Sequence, residues 1–418
     1  MAFQAQKGTK DMLPQDAYKW DHIKDTFKGV CQGFGIREIA TPIFEATELF
    51  ERGVGETTDV VQKEMYTFND KGGRSITLKP EGTAGAVRAF VESGMYGDAQ
   101  PTKMFYITPV FRYENVQKGR LRVHHQLGVE IFGSDEASAD AEVVAVALKT
   151  IARIGIKDVQ LHINSIGHPE CRKDYNVVLK DFLRPHLHEL CSTCNDRFEK
   201  NPMRIIDCKV PACKAIVNSA PRMMEHICDD CREHFESFKQ YLAACSIHYT
   251  IDTGIVRGLD YYSKTVFEII KDEATICGGG RYDYLIEEIG GPHTPGVGFG
   301  MGIERILLQL ERDSIVIPEP QRFDIFVGSM DKPSKLKAVE IVNDLRDLGI
   351  RAEADHMGRS LKAQMKYANK LAVTYTTALG SDELENGKIT VKRMGDGTKM
   401  ECSLNAGAIA ELITKQEQ

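Results

Sequence analysis

No apolar run in this chain approaches the roughly twenty residues that a helical membrane span requires, which excludes an embedded helix. The N-terminal stretch has no basic segment followed by an apolar one and no small-residue cleavage site, so no signal peptide is expected. Cations are not in excess either: 53 Lys and Arg stand against 60 Asp and Glu, a formal charge of −7. Taken whole, that balance speaks against a chain that binds nucleic acid through bulk charge, because phosphate contacts need clustered cations. Internal repeats and low-complexity tracts are also missing. With 42% hydrophobic and 27% charged residues, the composition is that of a folded globular protein rather than a disordered one. At 418 residues the chain is long for one core, so two or more domains are expected. Eleven cysteines without a secretory signal read as a cytoplasmic chain with reduced thiols, where spaced cysteines suggest metal before disulfide.

Hydrophobic spacing predicts a helix from Trp20 to Val30, a strand from Ile36 to Phe44 and a helix from Gly82 to Val91. Two strand-like runs, Met104 to Glu114 and His125 to Gly133, flank a loop rich in Arg and Lys and form an antiparallel hairpin. An amphipathic helix from Ala137 to Ile154 leads to a strand at Val159 to Ile163. Between about 170 and 245 the chain becomes cysteine-rich; strand patterns resume near 251 and run to a helix starting near Gly300. Pro318 and Pro320 mark a linker. Beyond it, strands at Phe323 to Gly328 and Ile350 to Ala354 alternate with helices at Lys335 to Leu348, Ser360 to Leu371 and Ala406 to Thr414, a small α/β domain with a mostly parallel sheet.

Splitting the charge at this linker changes its meaning. From Arg322 onward there are fifteen Lys and Arg and fourteen Asp and Glu, so the tail is nearly neutral and the acidity belongs to the rest. Within the tail, Arg359, Lys362, Lys366 and Lys370 recur at helical spacing and would share one face, either a solvated face or one that contacts phosphates.

Three constellations carry chemistry. In the hairpin, Phe111-Arg112-Tyr113-Glu114 is followed by His124-His125-Gln126-Leu127-Gly128-Val129-Glu130, so Gln126 and Glu130 share a face with Gly128 between them, leaving room for a ligand. Arg112 is a planar, fixed-charge donor suited to phosphate, and the loop adds Lys118, Arg120 and Arg122. Val297-Gly298-Phe299-Gly300-Met301-Gly302 keeps one strand face bare for a flat ring, with Arg305 at the following helix start. It is a poor match to a dinucleotide fingerprint, which needs its glycines in a turn and an acidic residue further on. Arg257-Gly258-Leu259-Asp260-Tyr261-Tyr262 and Gly278-Gly279-Gly280-Arg281-Tyr282-Asp283 are glycine-lined tyrosine segments, each with an arginine, that suggest a small-molecule pocket.

In this order the segments resemble histidyl-tRNA synthetases, a class II aminoacyl-tRNA synthetase family, along essentially the whole chain. Gly33 to Pro42 resembles the first class motif, which forms the dimer interface; the hairpin and Gly298 to Arg305 resemble the other two. Arg257 to Tyr262 and Gly279 to Tyr282 match the two histidine-specific motifs, and Glu81-Gly82-Thr83 the segment that holds the substrate amino group. The resemblance implies an α+β catalytic domain with a mostly antiparallel sheet over 1–321, an inserted small domain at about 170–245, and a C-terminal α/β anticodon-binding domain over 322–418. It also implies a cytoplasmic homodimer that joins histidine to tRNA-His with ATP and Mg2+ through a histidyl-adenylate. Glu81, Thr83 and Gln126 would then accept the ammonium, Glu130 and Tyr262 would engage the two imidazole nitrogens, and Tyr282 would close the pocket. Such a polar site rejects competitors without an editing domain. Arg112 and Arg257 would stabilise charge at the α-phosphate, Arg112, Glu114, Arg120 and Arg305 would hold ATP, and the Arg359–Lys370 stripe would bind tRNA. The alternative is the non-catalytic regulatory subunit of ATP phosphoribosyltransferase, which typically lacks the tail and has degraded motifs.

The cysteines stand apart from this chemistry. Cys191-x-x-Cys194 and Cys228-x-x-Cys231 have the spacing of one four-thiolate structural zinc site, with Cys208 and Cys213 as further candidates and Cys171 and Cys245 as flanks. Buried reduced thiols are the other reading.

Overall fold

The computed structural model describes residues 3–55 and 58–415, so the outermost ends of both expected domains lie outside the described residues. Contacts divide the chain into two units, Met1–Ile317 and Pro318–Gln418, a few residues ahead of the 321/322 boundary. No helix among the described residues is long and apolar enough to cross a membrane.

The first unit is built on strands β1 (Arg37–Glu38), β2 (Phe44–Ala46), β3 (Tyr66–Asn69), β4 (Ser75–Leu78), β5 (Thr102–Phe111), β6 (Val123–Phe132), β7 (Gln160–Ser165), β8 (Thr250–Ile251), β9 (Ser263–Lys271), β10 (Ala274–Arg281) and β11 (Gly296–Gly302). Eight of them form one sheet in the order β1-β5-β6-β11-β10-β9-β7-β8, antiparallel except for the two outer pairs, β1 with β5 and β7 with β8. A small sheet, β2-β4-β3, sits beside it. The expected strand Ile36 to Phe44 is thus broken in two, and Pro42, which has no N–H for a ladder, falls in the gap.

One face of the large sheet is apolar. Leu127, Val129, Ile131, Val297, Phe299 and Met301 bury there against the helix Ala137–Ile154, whose alanines and valines let it lie close. Each such fully buried side chain is worth roughly 2 kcal/mol. Gly155 ends that helix in the left-handed region, at φ 106°, where a glycine costs least. The other face carries the polar and glycine positions and becomes the floor of a cleft.

Between β7 and β8 the regular elements are all helical: Pro169–Leu183, Ser192–Lys200, Pro211–Val217 and Asp229–Ala244, joined by loops and short 3-10 turns. The last of these helices sends Phe235, Phe238 and Leu242 into the main core.

The second unit holds β12 (Ile325–Ser329), β13 (Ala352–Ala354), β14 (Tyr375–Leu379), β15 (Lys388–Arg393) and β16 (Lys399–Ser403) in the order β13-β12-β14-β15-β16. Only the β12 pairings are parallel; β14, β15 and β16 form an antiparallel meander. The sheet is therefore mixed, a correction to the mostly parallel expectation. The turns that join β14 to β15 and β15 to β16 carry at most one short helix, Ser381–Asn386, too little chain for a parallel crossover.

Candidate active site

Four adjacent strands place small or polar residues in facing rows. Gly128 pairs with Tyr106 on one side and Gly300 on the other, and Gly300 pairs with Gly278. Two residues along, Glu130 faces Gly298, which faces Gly280. These rows line an open cleft of about 1010 Å³, counting its mouth. The space left by the missing side chains is occupied by the site's own polar groups: a Cβ at Gly298 would meet the Glu130 carboxylate, one at Gly300 the Gln126 amide, and one at Gly278 the Arg257 guanidinium. The room expected at Gly128 is not open to a ligand, because the Tyr106 ring fills it and the space over Gly82 as well.

At the deep end, Glu130 is fully buried. Its Oε1 accepts from Thr83 Oγ1 at 2.8 Å and Tyr106 OH at 2.9 Å, and its Oε2 accepts from Tyr282 OH. Burial outweighs these donors and pushes its carboxyl up to about 8. Glu81, also buried, accepts backbone N–H groups of Thr83 and Ala84, each at 2.7 Å. It thereby caps the helix Thr83–Glu92, whose own cap residue, Gly82, has no side chain to do so. Burial raises its carboxyl too. Gln126 Oε1 accepts from the Gly82 N–H at 3.1 Å, which fixes the amide orientation. Tyr261, Tyr262 and Tyr282 pack as a cluster, with ring centroids 4.6 Å apart for the first two and 5.4 Å for Tyr261 and Tyr282. Tyr282 is wholly buried with its hydroxyl held on Glu130, so it forms the floor instead of closing the pocket.

At the open end the charge changes sign. Arg112 donates from Nε to the Pro80 carbonyl at 2.7 Å, which leaves its other nitrogens facing the cleft. Glu114 lies 4.0 Å from Arg112 and 3.4 Å from Arg120. Arg305, anchored on the Thr275 carbonyl, has its guanidinium pulled below the usual range, first by burial and then by Arg120. Between the two ends, Arg257 pairs with Glu268 and lies over the Tyr262 ring at 5.7 Å. Its Nε is buried without a hydrogen-bond partner among the described residues. Burial alone would lower its affinity for a proton, but Tyr262 and Glu268 outweigh that and raise it.

Arg112, Glu114, Arg120, Arg257 and Arg305 thus line one cleft with Glu81, Thr83, Gln126, Tyr262 and Tyr282, and Glu130 lies beneath its floor. Lys118 and Arg122 do not line it; Arg122 instead stacks on Tyr113 at 3.7 Å. Arg281, read as a pocket arginine, is fully buried away from the cleft, paired with Asp140 and, at 3.1 Å, with Asp283. Tyr261 and His124, named in the motifs without a role, line the cleft, and Tyr106 and Glu268, which the motifs do not include, hold Glu130 and Arg257. His124 is a neutral imidazole in the cleft wall, lowered to about 4 by burial and then by Arg112.

Two other expectations change. Arg359 precedes the helix Leu361–Lys370, is paired with Asp355 at 2.7 Å and lies over the Tyr367 ring at 4.3 Å. The stripe is therefore Lys362, Lys366 and Lys370, all exposed and without an ion-pair partner among the described residues. The four cysteines expected in one zinc site do not meet. Cys191 and Cys194 gather with Cys208 and Cys213, whereas Cys228 and Cys231 gather with His168 and Cys171. The spacing located both pairs, but which pairs converge is a tertiary matter that spacing does not carry.

Comparison with known proteins bears on the whole chain. The family described as Histidyl-tRNA synthetase matches residues 8–171 and 210–306, and the Anticodon binding domain family matches 324–416. A histidine–tRNA ligase of Clostridium perfringens is 59% identical over 414 residues, covering 99% of this chain and 100% of that protein. One from Clostridium botulinum is 59% identical over 404 residues, covering 97% of each. Among solved structures, the apo histidyl-tRNA synthetase of S. aureus superposes with a TM-score of 0.84 at 39% identity, over 98% of this chain and 99% of that one.

Proposed function

The chain belongs to the histidyl-tRNA synthetase family, and from that premise we propose how its cleft ligates L-histidine to tRNA-His at the expense of ATP. One observation carries the reading: a buried carboxylate ringed by hydroxyls at one end of the cleft, an arginine wall at the other, and Arg257 between them.

Histidine lies at the deep end. Glu130 takes one imidazole N–H where the ring displaces the Tyr282 hydroxyl that covers its Oε2, and the Tyr262 phenol engages the other ring nitrogen. The ammonium donates to the remaining lone pairs of Glu81, Thr83 Oγ1 and the Gln126 carbonyl. A competitor without ring nitrogens would leave Glu130 and its hydroxyls stranded, which is costly in a buried site. ATP lies at the open end, its phosphates held by charge-assisted contacts from Arg112, Arg120 and Arg305. Glu114 would offer a hard oxygen donor to Mg2+, which would supply charge neutralisation to the phosphates.

The histidine carboxylate attacks the α-phosphorus, a P–O bond forms, and pyrophosphate leaves with the electrons of the broken bond. Negative charge builds on the α-phosphate oxygens, where Arg112 and Arg257 stabilise it without reorganising. The unpartnered Nε of Arg257 supports that role, since a buried donor wants an acceptor. The terminal adenosine hydroxyl of the tRNA then attacks the acyl carbon and AMP leaves.

The exposed Lys362, Lys366 and Lys370 meet tRNA phosphates. A second copy of this chain covers the surface near Pro42, where Ile43 and Phe44 stand about half exposed. The segment at about 170–245 is the inserted domain of a 1–321 catalytic body, and 322–418 reads the anticodon. All eleven cysteines are free, in keeping with a reducing cytoplasm. The regulatory-subunit alternative is disfavoured because the tyrosine cluster, the arginine wall and the tail are all present.

Histidine-dependent exchange of pyrophosphate into ATP tests the reading. The parent chain should catalyse it, and Arg257→Ala should slow it by at least about a hundredfold while histidine affinity stays within about threefold. No exchange by the parent, or equal rates for the two proteins, would overturn it.

A further inference from the structure

The helical insertion holds two groups of four potential metal ligands, His168/Cys171/Cys228/Cys231 and Cys191/Cys194/Cys208/Cys213, and within each group the ligand atoms lie within 4.8 Å of one another. Their construction repeats. Cys191, Cys228 and His168 are each the residue that caps a helix, Ser192–Lys200, Asp229–Ala244 and Pro169–Leu183, and Cys194, Cys231 and Cys171 follow in the first turns. Helix starts carry N–H groups without an intrahelical partner, free to serve a side chain gathered there. The amide of Cys191 donates to Cys213 Sγ at 3.2 Å, and that of Cys228 donates to Cys171 Sγ at 3.2 Å. In both groups, then, a backbone N–H already serves a sulfur across the cluster.

The spacings fit a tetrahedral ion. With zinc–sulfur bonds of about 2.3 Å and zinc–nitrogen bonds of about 2.0–2.1 Å, the ligand–ligand edges are about 3.8 Å for two sulfurs and about 3.5 Å for a sulfur and a nitrogen. Cys191 Sγ lies 3.9 Å from Cys208 Sγ, while His168 Nε2 lies 3.5 Å from Cys228 Sγ and 4.0 Å from Cys171 Sγ. His168 Nδ1 has two neighbours, the Cys171 N–H at 3.2 Å and the Glu170 carboxylate at 3.4 Å. A metal on Nε2 puts the proton on Nδ1, which then donates to Glu170 and gives up the bond it accepts from the Cys171 N–H. Disulfides do not account for these groups, since every cysteine is free. Nor does ordinary core packing, which has no reason to sort eight ligands into two complete sets of four.

We propose that the insertion binds two structural zinc ions, one through four cysteine sulfurs (Cys191, Cys194, Cys208, Cys213) and one through His168 and three cysteine sulfurs (Cys171, Cys228, Cys231). Four protein ligands leave no open position, so neither ion takes substrate. Their work is to hold the shorter helices, Ser192–Lys200 and Pro211–Val217, which are too brief to be stable alone, to the longer ones. The region so held touches the cleft: Arg204 donates to the Arg257 carbonyl at 2.5 Å, and Asn201 donates to Asp260 at 2.8 Å.

Elemental analysis of the full chain, refolded or purified with Zn2+ under reducing conditions and without chelator, should find about two zinc per chain. Cys208→Ser and Cys171→Ser should each lower that to about one, and together to none. The unmodified chain loaded with Co2+ should show intense tetrahedral cobalt–thiolate absorption whose band shape changes differently in the two variants. A zinc content near one or none in the parent overturns the two-site assignment, as does a variant that keeps the parent's full content. The parent measurement and the cobalt spectrum need no substitution, so a variant that fails to fold does not shelter the proposal.

Discussion

Glu130 concentrates the chemistry of the deep end in one side chain. Burial holds its carboxyl at about 8, well above the usual 4.5, even with three hydroxyls donating to it. The folded chain therefore keeps a proton there that the unfolded chain releases between about pH 4.5 and pH 8. This group's contribution to stability is full below about pH 4.5 and is lost as pH rises toward 8. Glu130→Gln preserves the shape and removes the titration, so thermal unfolding of the variant should weaken less than that of the parent between about pH 5 and pH 8. Parallel stability curves would show that the burial effect is misassigned. Other single residues were harder to read from the sequence. Tyr106 gives no outward sign in its strand, and only the register opposite Gly128 reveals that its ring fills the glycine gap and its hydroxyl reaches Glu130. His168-x-x-Cys171 has the same spacing as the two cysteine pairs, and counting histidine as an equal ligand would have found it.

Among the elements, local pattern located some helices closely and missed those of the insertion. Ala137–Ile154 and Ala406–Thr414 run to the limits their periodicity and flanking residues predict, because their apolar faces and end signals agree. Strands were less legible where a proline or a short ladder intervenes, as at Ile36 to Phe44. The glycine-alternating strand β11 was read as a bare shelf for a ring. Its register shows a different use, in which Gly298 and Gly300 make room for Glu130 and Gln126 on the neighbouring strand. Gly300→Ala puts a methyl group against the far end of the Gln126 side chain, a group that can swing away without disturbing the sheet. The variant should keep its melting temperature within a few degrees and raise the KM for histidine about tenfold, equivalent to about 1.4 kcal/mol. An unchanged KM in pyrophosphate exchange would remove Gln126 from the ammonium site.

For the molecule as a whole, the acidic net charge is a poor guide to partners, because cations are placed locally. Arg359 is neutralised by Asp355, so the lysines at 362, 366 and 370 carry the exposed charge of that helix. Reversing Lys362 and Lys366 to glutamate together should weaken tRNA binding and flatten its dependence on salt, with pyrophosphate exchange unaffected. Aminoacylation that stays unchanged with tRNA well below saturation would return the face to solvent. The division between the two units falls at the Pro318–Pro320 linker that the sequence marks, whereas strand pairing across the tail sheet was not legible, since alternating strands and helices suit parallel and mixed sheets alike.

The helical insertion also has a topological role. Strands β7 and β8 run parallel, with His162 opposite Thr250. Parallel neighbours cannot be joined by a tight turn; they need a crossover, and that crossover is made of the cysteine-rich helices and the loops between them. The insertion is thus the return path of the chain and not an appendage hung from a loop. The segment that emerges from it leads from β8 directly to Arg257, so the arginine at the centre of the cleft arrives only after the crossover has closed. Cutting the helices out and bridging the gap with a few residues would cost the sheet its edge strand and leave Arg257 with no fixed origin.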